Sequence, residues 1–273
     1  MSVELGRLSL RNPLMMASGT FGLGDRLPEI YRIAGAFVSK TVTPAPRAGN
    51  PPPRIVEVAA GLVNYVGLQN PGIDAFIAMI AELDIPTSLV VSVHATNVDD
   101  VELMLGKLEA LEGVAGYELN LSCPNVKTQQ LLPAIDDELV DTIVSRARAA
   151  TERWLCAKLP PYSCIAAGPI AERAGADALC LCNTYPAMAF TPSGKRMSGG
   201  FAGPAIKPMT LYNVFHTAQR VDIPVIASGG IRTGKDVAEY LAVGAKAVQI
   251  GSASFVEPDA VRRILEEWEA LSA

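Results

Sequence analysis

Apolar residues in this chain fall into short, β-branched-rich runs, separated by longer stretches in which apolar positions recur every three or four residues, the period of a helix face. The runs 14–17, 36–39, 89–93, 116–120, 155–158, 178–182, 224–227 and 247–250 each read as a strand. Helical patterns between them are clearest over 73–83, 98–111, 136–153, 209–221, 234–243 and 258–271, and weaker near 27–33 and 165–174. Strands alternating with helices imply parallel pairing, and closing the sheet removes both exposed edges. The predicted fold is therefore α/β, a (β/α)8 TIM barrel in which residues 1–273 form a single domain. An open doubly wound sheet is the alternative. The first turn, Ala17-Ser18-Gly19-Thr20-Phe21-Gly22, lacks the glycine spacing that such a sheet places after its first strand.

Two stretches break the alternation, 42–70 and 185–208. Both are too long for ordinary connections, which places them as inserted loops at the carboxyl-end mouth of the barrel. The first is expected to carry a small hairpin, since 54–58 and 62–66 both read as strands.

Composition narrows the function. With 273 residues, 49% of them hydrophobic and 19% charged, the chain can bury a large core and is not a disordered or fibrous polymer. A net charge of −5 with scattered basic residues gives no footprint for a phosphate backbone, so no nucleic-acid partner is expected. The longest uninterrupted apolar stretch, 75–81, is far short of the roughly 20 residues needed to cross a bilayer. Glu4, Arg7 and Arg11 interrupt the apolar residues at the amino end, so no signal peptide is expected and the cytoplasm is the default location. The 5 cysteines form no CxxC pair, which argues against a disulfide framework or a cluster site in this chain. Cys180 and Cys182, two apart in one run, are expected to share a strand face as small core residues.

In such barrels catalytic groups project from the carboxyl ends of the strands. Taken in order, those ends carry Ser18, Gly19 and Thr20; Lys40 and Thr41; His94; Asn120, Ser122, Cys123, Pro124 and Asn125; Lys158; Asn183 and Thr184; Ser228, Gly229 and Gly230; and Gly251 and Ser252. A buried lysine needs an anion or a strong acceptor, so Lys40 and Lys158 either meet an anionic ligand or pair with carboxylates. Glycines after the last two strands suit a phosphate cradle, because a backbone N–H approaches an anion most closely where no Cβ intervenes. Glycines also serve simply as turns. The stretch Gly229 to Lys235 meets the start of a P-loop pattern, but Asp236 stands where a Ser or Thr belongs. His94 and His216 lack partners at zinc spacing. Cys123, flanked by Asn120 and Asn125, is a candidate general base beside amides able to hold a polar planar substrate.

Taken together, these segments resemble the dihydroorotate dehydrogenases of the soluble class, over Asn12 to Pro258. The resemblance is carried by Asn12-Pro13, Ala17-Ser18-Gly19-Thr20-Phe21-Gly22, Ser39-Lys40-Thr41, Gly49-Asn50-Pro51, Gly67-Leu68-Gln69-Asn70-Pro71-Gly72, Asn120-Leu121-Ser122-Cys123-Pro124-Asn125, Lys158-Leu159, Asn183-Thr184, Gly203-Pro204-Ala205, Gly229-Gly230-Ile231 and Gly251-Ser252-Ala253. It implies an FMN enzyme of pyrimidine biosynthesis that oxidises (S)-dihydroorotate to orotate, with Cys123 as base and Lys158 beside the flavin. By the same resemblance Ser18, Gly19, Lys40, Thr41, Asn120, Lys158, Cys182, Gly203, Gly229, Gly230, Gly251 and Ser252 would hold FMN. Lys40, Asn64, Gly67, Leu68, Asn120, Asn125, Asn183 and Thr184 would surround the substrate. The stretch from Gly67 to Gly72 resembles the NAD-linked subclass, which implies homodimerisation and a partner subunit carrying FAD and an iron–sulfur cluster. Fumarate-using homodimers are the nearest alternative within the family. The chain departs from the family pattern at Ser92, where an asparagine is expected, and at Pro160-Pro161-Tyr162 and Pro186-Ala187. Those departures leave two other readings open, an FMN oxidoreductase acting on another pyrimidine-like ring and a non-catalytic flavin-binding subunit.

Overall fold

The computed structural model describes residues 2–23, 28–121 and 136–272. It opens with an antiparallel hairpin, β1 (Val3–Leu5) and β2 (Leu8–Leu10). Then come β3 (Leu14–Met16), α1 (Pro28–Ile33) and β4 (Ala36–Val38), a hairpin of β5 (Ile55–Val58) and β6 (Gly61–Asn64), and α2 (Ile73–Ile80). Strand and helix alternate through β7 (Ser88–His94), α3 (Val98–Leu108), β8 (Val114–Asn120), α4 (Asp137–Ala150), β9 (Trp154–Leu159), α5 (Cys164–Arg173) and β10 (Ala178–Leu181). A second hairpin, β11 (Tyr185–Phe190) and β12 (Arg196–Ala202), precedes α6 (Lys207–Ala218), β13 (Val225–Ser228), α7 (Gly234–Ala242), β14 (Ala245–Ile250), α8 (Ala253–Val256) and α9 (Ala260–Ser272).

The eight predicted strands are the eight staves of a closed parallel barrel, in the order β3, β4, β7, β8, β9, β10, β13, β14 and back to β3. Strand period two sorts their side chains. Leu14 and Met16, Val91 and Val93, Leu155 and Ala157, and Val248 and Ile250 pack in the large cluster shared with the helices. Met15, Val38, Val90, Cys156, Cys180, Ile226 and Ala247 pack in a separate cluster that fills the barrel interior. Leu5, Leu8 and Leu10 of the opening hairpin join that interior cluster, and the Trp154 indole donates to the Leu5 carbonyl at 2.6 Å. The hairpin β1–β2 therefore plugs the amino-terminal end of the barrel.

The two long insertions are ordered as one feature. The hairpin expected in 42–70 is present, and 185–208 contains a second one where the sequence shows only a long connection. The two join through β6 and β12 into a four-stranded antiparallel sheet, β11-β12-β6-β5, with Gly200 opposite Asn64. Cys180 and Cys182 do not share a strand face as expected: β10 ends at Leu181, the Leu181–Cys182 peptide is cis, and Cys182 packs with the outer cluster. No helix among the described residues is long and apolar enough to cross a membrane.

Candidate functional site

A cavity with about 1140 Å³ of empty space, counting its open mouth, lies where the strand ends meet the four-stranded sheet. Its walls come from the loop after β3 (Ser18, Gly19, Thr20), from Lys40 and Thr41 after β4, and from Asn120 at the end of β8. Lys158 in β9, Cys182, Asn183 and Thr184 after β10, Gly229 and Gly230 after β13, and Gly251 and Ser252 after β14 complete them. The sheet contributes Ile55, Leu62, Asn64 and Ala202 as a cover, and the segments that follow β6 and β12 add Val66, Leu68 and Gly203. Sixteen of the predicted site residues are thus brought to one space. Gly67 is not in the lining; at φ 73°, and with the Asn50 amide and backbone where a Cβ would stand, it forms the turn that presents Leu68. Cys123 and Asn125 lie outside the described residues.

Lys158 forms the floor. Period two places it on the interior face above Cys156, where it is 5% exposed. Its Nζ donates to Gln249 Oε1 at 3.0 Å and to Glu118 Oε1 at 3.3 Å, while Gln249 Nε2 donates to the other Glu118 oxygen at 2.6 Å. Burial alone would depress the ammonium, but the facing Glu118 carboxylate outweighs it and holds the Lys158 pKa above its ordinary value. Of the two sequence readings for this lysine, pairing with a carboxylate is realised within the chain itself.

One wall is a run of hydroxyls and amides. Thr41 Oγ1 lies 3.2 Å from Ser18 Oγ and 2.9 Å from Ser92 Oγ, and it accepts from Asn120 Nδ2 at 3.2 Å. Ser92, at the position where an asparagine was expected, is fully buried behind Thr41 and is absent from the lining. Asn183 Nδ2 reaches Asn120 Oδ1 at 3.4 Å, and Asn64 Nδ2 donates to the Gly200 carbonyl at 2.9 Å. Cys182, 2% exposed, accepts from Asn213 Nδ2 at 3.4 Å; its contact with the Cys164 thiol and its burial push its pKa well up, so it stays a thiol.

The opposite wall is backbone. At Gly229 a Cβ would stand 2.7 Å from Thr210 Oγ1, and at Gly230, φ 71°, it would stand 2.7 Å from Lys207 Cβ and 2.9 Å from Lys207 N. Glycine is required at both, because the loop packs tightly against Ile206, Lys207 and Thr210 while it lines the cavity. The neighbouring amino end of α7 is already satisfied: Thr233 and Asp236 form a capping box, and Asp236 also accepts from Arg232 N at 2.8 Å. The residue that spoils the P-loop pattern is therefore a helix cap.

Glu118 and Gln249 are the polar residues of this site that the sequence reading missed. Their signal was an acid and an amide at interior parity within otherwise apolar strands, a placement too costly without a partner. His94, noted at a strand end, is buried outside the lining, with Nε2 3.0 Å from Thr96 Oγ1 and Nδ1 without a partner. His216 instead packs at a tilt against Tyr212, also on α6, with ring centroids 4.2 Å apart.

The family model described as dihydroorotate dehydrogenase matches residues 1–271. The chain belongs to that family. The dihydroorotate dehydrogenase B (NAD(+)) catalytic subunit of Trichlorobacter lovleyi is 42% identical over 284 residues, covering 99% of this chain and 93% of that protein. The catalytic subunit of the same description from Thermoanaerobacter pseudethanolicus is 40% identical, covering 97% of this chain and 91% of its own length. Among solved structures, the Eimeria tenella DHODH in complex with ferulenol superposes with a TM-score of 0.83 over 99% of this chain and 84% of that one. At 22% identity it bears on the fold alone. The closed barrel and the family thus agree, and membership makes the chain an oxidoreductase of a flavin-dependent, FMN-using family.

Proposed function

We propose that this chain, as one FMN-binding barrel unit over residues 1–273, oxidises dihydroorotate to orotate in pyrimidine biosynthesis. The observation that carries the reading is the convergence, in one cavity of a dihydroorotate dehydrogenase family barrel, of a lysine floor, an amide wall and a glycine cradle.

The donor set fits FMN. Gly203, Gly229, Gly230, Gly251 and Ser252 would offer backbone N–H groups to the phosphate, and Lys158, Lys40, Thr41, Asn120, Ser18, Gly19 and Cys182 would border the ring system. Gly251 lines the cavity, and a Cβ there would only touch Ala17 Cβ at 3.6 Å and Thr20 Cγ2 at 3.8 Å, so packing does not demand glycine at this position. FMN, when bound, supplies the hydride-accepting chemistry that side chains lack.

The side chains then have separable tasks. Asn64, Leu68, Asn120, Asn183 and Thr184, with Lys40 supplying positive charge, would hold the orotate ring and carboxylate, joined by Asn125 and by the turn at Gly67. Lys158 keeps its proton and Cys182 stays a thiol, so neither takes the substrate proton at neutral pH. That task is assigned to Cys123, on the sequence reading. The cover sheet shields the reacting face from water.

For the electrons, a partner subunit bearing FAD and an iron–sulfur cluster is the reading favoured by the description of the relatives as NAD(+)-linked catalytic subunits. A homodimer of this chain within the assembly and a cytoplasmic location belong to the same reading. The test is anaerobic titration of the FMN-loaded protein with dihydroorotate. Stoichiometric loss of the flavin absorbance is expected, and Cys123→Ala should slow it by about 10²-fold or more. A flavin that keeps its colour in excess dihydroorotate refutes the assignment.

A further inference from the structure

Lys158 does not stand alone at the cavity floor. In the barrel order, β14 lies four staves from β8, on the opposite wall, yet Gln249 of β14 bonds both Glu118 of β8 and Lys158 of β9. The Gln249 side chain is thus a crossbar through the interior, oriented by its two partners: its oxygen accepts from the ammonium and its nitrogen donates to the carboxylate. Glu118 is 1% exposed and absent from the lining, whereas Lys158 and Gln249 line the cavity. The carboxylate therefore lies behind the ammonium as seen from the ligand. Among the described residues, the titratable groups facing Lys158 are Glu118, Cys180 on β10 and Cys156 on its own strand. Burial drives both thiols upward, so they remain uncharged and Glu118 is the anion of the set.

We infer that Glu118 and Gln249 are positioning residues for Lys158, pinning its ammonium to the floor and offsetting part of its charge, so that this lysine presents a fixed dipole to the flavin ring rather than a free cation, beside the separate charge of Lys40. The inference rests on the FMN reading above. A lone buried cation would favour an anionic reduced ring strongly over a neutral oxidised one. An ion pair with its negative end turned away favours it less, because the carboxylate 3.3 Å from the ammonium offsets part of its potential at the ring. The role of Glu118 is then to moderate how tightly reduced FMN is held, which keeps the flavin able to give its electrons up.

The experiment compares Glu118→Gln and Glu118→Asp with the wild type, all FMN-loaded. It measures affinity for oxidised FMN by titration of the apoprotein and midpoint potential against reference dyes at pH 6 and pH 9. In Glu118→Gln the preference for reduced over oxidised FMN should rise about tenfold or more at pH 6. It should then fall back more steeply than in the wild type by pH 9, because an unopposed buried ammonium gives up its proton more readily. Glu118→Asp keeps the charge but draws it back by a methylene, and should move the preference the same way by about threefold, which keeps the test decisive should the glutamine variant not fold. If the preference stays at the wild-type value in whichever variant binds FMN while only the melting temperature drops, Glu118 is structural and the inference is overturned. Failure of the wild type itself to bind FMN would instead sink the underlying functional reading.

Discussion

Burial pushes the pKa of two side chains near the strand ends, His94 and Lys158, in the same direction, downward, yet the two end on opposite sides of their ordinary values. No acid among the described residues raises the His94 pKa; burial, helped by the charge of Arg47, lowers it from 6.5 to about 4. Between those values an unfolded chain takes up a proton that the native imidazole refuses, so stability falls as the pH drops from 6.5 and levels off below about 4. The loss attributable to this residue is up to about 3 kcal/mol. His94→Gln should flatten that part of the profile, as read from urea midpoints at pH 7 and pH 4.5; equal acid losses in both proteins would rule the explanation out. Lys158 is held charged by Glu118, and Lys158→Met would leave that carboxylate buried without a counter-ion. A loss of about 3–5 kcal/mol in denaturant unfolding is expected, most of it recovered by adding Glu118→Leu.

At the level of elements, the plug and the glycine loop can be separated by mutation. Leu10 is 1% exposed in the barrel interior, so Leu10→Ala should cost about 2–5 kcal/mol while leaving FMN affinity within about twofold of the wild type. Gly230→Ala should do the reverse, because a methyl forced against Lys207 backbone and side chain displaces the loop proposed to hold the phosphate: FMN affinity should fall about tenfold or more, with a smaller loss of stability of about 1–2 kcal/mol. The eight staves were legible in the sequence because each is a compact apolar run between turns. The opening hairpin is harder to see: Val3-Glu4-Leu5 and Leu8-Ser9-Leu10 alternate as strands do, but each run is only three residues long and Glu4 and Arg7 break the apolar pattern. Strand β12 was also missed: Gly199 and Gly200 weaken any strand signal, and their need for glycine comes from Asn64 and Thr184, far away in the chain. The same distance explains the site. Strand-end amides, lysines and glycines announced themselves locally, whereas Glu118 and Gln249 acquire a purpose only when the barrel closes and opposite walls meet.

Across the whole molecule, the cover sheet couples two insertions that share no local contact, and Gly200 is where they lock. A Cβ there would overlap Thr184 Oγ1 and stand 3.2 Å from Asn64 Nδ2. Gly200→Val should therefore pry the cover from the amide wall, raising the KM for dihydroorotate by about tenfold or more while FMN affinity changes far less. Equal losses of both would show that the cover and the flavin cradle are one mechanical unit. The bond from Asn64 to Gly200 spans 136 residues of chain. On a ribosome adding about 5–20 residues per second, the first half of the cover would therefore wait roughly 7–27 s for its mate to emerge. Throughout that interval β6 has a bare edge able to pair with a neighbouring nascent chain, so yield during expression, more than any property of the finished enzyme, should be sensitive to changes that make that edge more adhesive.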